Sequence, residues 1–190
     1  MTNAAPADRA ATESTSRRAL LGAGVIGAAL AVTGSRSVSA AAPESNDDAR
    51  IADLAIAYEL AARDLYDDAI EAGSTDELWH ILREQHESYA QRVSGLVGKP
   101  ANTASATLYE ALSTNFASAE PIAAAVELEN TLAATHTEWL ATVTDRNIAI
   151  ALASVVSLES RHAAILGLRA NVADGDQLFT NSAAALTGEA

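Results

Sequence analysis

A chain of 190 residues is long enough for one domain with a sizeable core, and it carries 12 basic against 25 acidic side chains, a net charge of −13. A surface of that sign repels nucleic acid and anionic membrane faces. With no cysteine, the chain has no disulfide, no thiolate metal site and no lipid-modified cysteine anchor, so its stability must come from its core.

The first forty residues set themselves apart. Ser16-Arg17-Arg18-Ala19-Leu20-Leu21 leads into a short apolar run ending near Val32, a polar stretch with Arg36, and small residues at Val38 and Ala40. The run is glycine-rich and shorter than the roughly 20 apolar residues of a membrane-spanning helix. The segment resembles a twin-arginine export signal with a cleavage site after Ala40. That resemblance implies export of an already folded protein, which suits one that acquires a metal before leaving. An uncleaved signal would act as a tether. Without residues 1–40 the chain keeps eight basic and 23 acidic side chains, a net charge of −15.

The remainder is rich in alanine, leucine and glutamate and lacks β-type alternation, which predicts four long helices, each about 35 Å at 1.5 Å per residue. The first spans about 47–72, after Ser45-Asn46 as a cap, and stops at Gly73. The second begins after Thr75, with Asp76 and Glu77 favouring the helix dipole, and fades at Gly95 or Gly98. A crossover of some twenty residues follows, with a short helical stretch over 104–116. The third starts around Glu120-Pro121 and ends near Val143; the fourth follows Thr144-Asp145 and runs to about Ala170. Short turns make each flanking pair an antiparallel hairpin, and two hairpins joined by one long crossover describe an all-α, ferritin-like four-helix bundle over residues 41–171. An up-down-up-down bundle with short loops is disfavoured by the long middle segment. Residues 172–190 read as a tail that lies loosely against the bundle or frays.

Residues three, four or seven apart share a helix face, so polar side chains can be sorted into inward and outward. Glu159 and His162 share a stripe with Leu152, Val155, Val156 and Leu166. Glu129 and His136 interrupt the stripe of Ile122, Val126, Leu132, Ala133, Leu140 and Val143. His86 falls with Trp79, Leu82, Tyr89 and Val93, whereas Glu84 and Glu87 turn outward. Glu59 lies on the flank of its helix with Ala52, Ile56, Tyr66 and Ile70. Carboxylates from three helices with imidazoles from two are ligand chemistry suited to iron or manganese.

At these residues the chain resembles the ferritin-like domain proteins of the ferritin and rubrerythrin superfamily, through YELAARDLYDDAIEAG, EQHESYAQRVSGLVG, VELENT and LESRHAAILG. The resemblance implies Glu59, His86, Glu129, Glu159 and His162 as metal ligands. It also implies a bridging carboxylate three residues before His86, where this chain has Arg83. A guanidinium adds positive charge where two divalent ions need screening. Two readings follow. Either a reduced site still binds one ion or an asymmetric pair of iron or manganese, or Arg83 pairs with an inward glutamate and the site is vestigial in a non-catalytic binding or stress-related module. Arg83 turned into the bundle centre favours the second; Arg83 turned outward, with the ligand groups converging, favours the first.

Other candidates read as structural. Glu77 and His80 also spell Glu-x-x-His but face solvent. His136 is roughly 10 Å along the axis from Glu129, too far to share an ion with it, and reads as a satisfied buried histidine or one supporting a ligand. Tyr66 is placed to pack or to hydrogen bond a ligand carboxylate. Trp79 and Trp139 read as core, and Asp64, Asp67, Asp68 and Glu71 as a solvated acidic face. There is no phosphate-binding glycine loop and no Ser-His-Asp arrangement, and no fifth helix of the kind a storage shell uses.

Overall fold

The computed structural model describes residues 46–117, 121–171 and 175–186. The twin-arginine segment, its cleavage point, Ser45 and Glu120 lie outside the described residues. Those described are all-α: α1 (Asn46–Glu71), α2 (Glu77–Val97), α3 (Ala106–Phe116), α4 (Pro121–Leu140), α5 (Arg146–Arg169) and α6 (Gly175–Phe179).

Local chemistry sets the ends. Asp76 caps α2 by accepting from Leu78 N at 3.0 Å, and Gly98 closes it at φ 67°, a left-handed conformation that favours glycine. Ser105 caps α3 through Leu108 N, while its own N–H donates to the Ala57 carbonyl of α1, pinning the crossover to the first helix. Asp145 caps α5, accepting from Asn147 N and Ile148 N at 2.7 and 3.0 Å. At α4 the helix stops at Leu140, three residues earlier than its apolar stripe suggests. There Ala141 N and Thr142 N turn back to Glu138 O and Trp139 O, and the tightened turn leaves Val143 outside.

α1 packs on α2, and α4 on α5, with both pairs running antiparallel: Glu59 meets His86 while Asp67 meets Arg83, and Glu129 meets His162 while His136 meets Glu159. α3 lies against α1 and α4. With α2, α3 and α4 around it, α1 is buried almost throughout its middle; from Ile51 to Ala62 only Asp53 is exposed. That is why its wheel shows a broad apolar surface in place of one stripe. Fully burying each of Leu54, Leu60 and Leu65 stabilises the fold by about 1.5–3 kcal/mol.

α5 is the one described helix long and apolar enough to cross a membrane. Here Ile148, Leu152, Val155 and Leu166 pack into the core, with Glu159 and His162 among them. The tail is more firmly attached than its composition suggests. Asn181 Nδ2 donates to Asn130 O at 2.7 Å and Leu186 N to Thr135 Oγ1 at 2.9 Å, so residues 181–186 follow α4.

Candidate metal centre

Six ionisable side chains meet in the middle of the bundle, all at most 4% exposed: Glu59 from α1, His86 from α2, Glu129 and His136 from α4, and Glu159 and His162 from α5. They form two groups, each offering three ligand atoms within 4.8 Å of one another. In the first, Glu129 lies between two rings, accepting from His86 Nε2 at 3.0 Å and from His162 Nδ1 at 3.1 Å. In the second, His136 Nδ1 lies 2.9 and 3.1 Å from the two oxygens of Glu159, and Glu59 completes the set. His86 joins the groups, because its Nδ1 donates to Glu59 Oε2 at 2.7 Å.

Aromatic rings wall the cluster. Tyr66 stacks on His86 with centroids 5.5 Å apart, Phe116 from α3 meets Tyr66 edge-on, and Trp139 meets His136 edge-on at 5.2 Å. The Tyr66 hydroxyl donates to Glu129 Oε1 at 2.5 Å. One edge is polar: His162 Nε2 faces Gln85 Oε1 of α2 at 2.5 Å, and Gln85 is half-buried.

In such a dry site, charge is balanced locally. Burial alone would lower His86, but Glu129 and Glu59 outweigh it and hold the ring protonated well above the ordinary histidine range. Burial would raise Glu129, yet His162 and His86 hold it well below the ordinary carboxylate range. For Glu159 burial wins: despite His136, and with Glu59 and Glu129 adding repulsion, it is pushed up to about 7. His136 is also raised, burial being overcome by Glu159. Burial and then Glu129 keep the Tyr66 hydroxyl protonated.

Two atoms are left over. Glu59 Oε1 and His136 Nε2 are buried without a hydrogen-bond partner, and they face each other across 3.8 Å. A buried polar atom without a partner costs about 1–3 kcal/mol, so the pair calls for an explanation.

All five residues expected as ligands are therefore brought together, though in two groups and not around one point. His136 is the correction. It is not a satisfied buried histidine but part of the second group. Its distance from Glu129 is real but beside the point, because α5 runs antiparallel to α4. Stepping back one turn from His162 to Glu159 moves toward the C-terminal end of α4, where His136 sits. Its place on the inward stripe was the available signal.

Arg83 turns outward and pairs with Asp67 at 2.9 Å, both side chains more than a third exposed. Glu77 and His80 are exposed. The acidic run of α1 is less solvated than expected: Asp64 binds Arg63, Asp67 binds Arg83, and Asp68 accepts from the Tyr109 hydroxyl at 2.7 Å. Gln85 carried no sequence signal, and Phe116 came from the short helical stretch of the crossover, which was given no part in the site.

Compared with known proteins, the chain matches no family model, no curated protein and no solved structure.

Proposed function

We propose that this chain is an exported, ferritin-like metal-binding protein whose interior cluster takes up iron or manganese. The observation that carries the reading is the pair of unpartnered atoms, Glu59 Oε1 and His136 Nε2. Glu59 and His136, with Glu159 beside them, are the residues that would hold an ion there, and its binding would give both atoms a partner. The first group, His86, Glu129 and His162, offers two imidazoles and a carboxylate, a set suited to a divalent transition metal and unlike the all-oxygen cages of calcium. Bound there, such an ion supplies Lewis acidity and one-electron redox chemistry. The chain's own part is to hold Glu129 through Tyr66, to surround the cluster with aromatic rings, and to keep Arg83 away.

Two hairpins joined by the crossover between Val97 and Pro121 support the ferritin-like assignment, and Arg17-Arg18 with the residues up to Ala40 support export. The rival reading, a non-catalytic module with a vestigial site, has one observation in its favour: all six groups already engage one another through hydrogen bonds that need no metal.

Elemental analysis of full-length protein folded in the cytoplasm separates them. The parent and Arg83→Ala are expected to carry iron or manganese in fixed ratio to protein, and Glu159→Ala and His136→Ala to lose most of it. A metal-free parent after growth in iron- and manganese-supplemented medium would leave the rival reading standing.

A further inference from the structure

His162 is the least enclosed member of the cluster, at 4% exposure, and the only one hydrogen-bonded to a residue that is neither histidine, carboxylate nor tyrosine. Its Nδ1 points at Glu129 and its Nε2 at Gln85 Oε1. An amide oxygen can only accept, so the ring nitrogen facing it carries the proton. Glu129 accepts from Nδ1 in turn, so without an ion both ring nitrogens donate; where an ion takes the place of the Nδ1 hydrogen, the one on Nε2 stays with Gln85 and the freed lone pair points into the cluster. Without that acceptor Glu129 alone orders the ring, and it favours the hydrogen on Nδ1. The tautomer with hydrogen on Nδ1 would aim an N–H where a metal needs an electron pair.

We propose that Gln85 is a positioning residue of the metal centre, its side-chain carbonyl fixing the His162 ring so that Nδ1 is the nitrogen offered to an ion. The inference rests on the metal-binding reading and adds to it a residue that ligates nothing. Partners that orient a ligating histidine typically change metal affinity 10- to 100-fold when removed.

Zinc, a diamagnetic probe of the same donor set, tests this in the full-length protein. Gln85→Met keeps the bulk and removes the acceptor; Gln85→Glu keeps an acceptor oxygen. Zinc affinity is expected to fall about 10- to 100-fold in the first and to return close to the parent's in the second. In the nitrogen-15 spectrum of the zinc-loaded parent, His162 should show its proton on Nε2 and its metal-shifted resonance on Nδ1. Parent-like affinity in Gln85→Met, or zinc on Nε2 of His162, overturns the inference while leaving metal binding intact. A parent that takes up no zinc, iron or manganese removes both. Should Gln85→Met fail to fold, the parent's His162 spectrum decides alone.

Discussion

Tyr66 meets two needs with one hydroxyl. Fully buried, it requires a partner for its O–H, and Glu129, already accepting from two imidazoles, has a lone pair to offer. Tyr66→Phe keeps the ring against His86, Trp79 and Phe116 and removes only that bond. Hydrogen bonds to charged groups contribute about 1.5–3 kcal/mol, and the urea midpoint of the variant should fall accordingly with an unchanged slope. A parent-like midpoint would show that the bond contributes nothing. At this scale the sequence was informative about which side chains face inward, since that follows from helix period alone. It was silent on which inward groups pair. Glu129 with His162, and Glu159 with His136, depend on the register of α4 against α5, and no spacing within either helix encodes that.

Among the elements, the join between α1 and the turn before α5 stands out. Asp48 is fully buried one residue inside the acidic start of α1, and it accepts from Thr144 N at 2.8 Å, Thr144 Oγ1 at 2.6 Å and Asp145 N at 3.0 Å. It thus holds the residue that caps α5, nearly a hundred positions along the chain. Asp48→Ala leaves two backbone N–H groups and a hydroxyl without their acceptor and is expected to destabilise by about 3 kcal/mol or more, read as a lower urea midpoint. An exposed ion pair such as Arg83 with Asp67 is worth about 0–1 kcal/mol by comparison. The four long helices were legible because Gly73, Gly98 and the Thr144-Asp145 turn mark their ends chemically; Asp76, expected in the first turn of α2, is its cap, and α6 was read only as tail. The role of Asp48 was not, because a buried aspartate in a first turn has the sequence appearance of an ordinary dipole-favouring one.

For the molecule as a whole, the cluster links stability to pH. His86 and His136 are raised in the folded state, so they add stability below the ordinary histidine value that is lost as pH climbs through their folded values. Glu159, raised from 4.5 to about 7, is protonated when folded and ionised when unfolded between those values, and it too loses stability as pH rises. Glu129 runs the other way: its contribution is complete above the ordinary carboxylate value and is lost only as pH falls through its depressed folded one. Metal-free protein should therefore melt at a lower temperature at about pH 8 than at about pH 5. Manganese should narrow that gap, because an ion replaces protons that the cluster holds only at lower pH. A melting temperature that rises steadily from about pH 5 to 8 without metal would contradict the charge balance described.

The near-complete enclosure of α1 bears on time as well as on stability. With Glu59 shut off from water by its neighbours on every side, an ion lodged beside it could escape only during moments when the helices separate. Its residence would follow the breathing rate of the protein and not the strength of its bonds, so a chelator added in excess should strip the metal at a pace indifferent to chelator concentration.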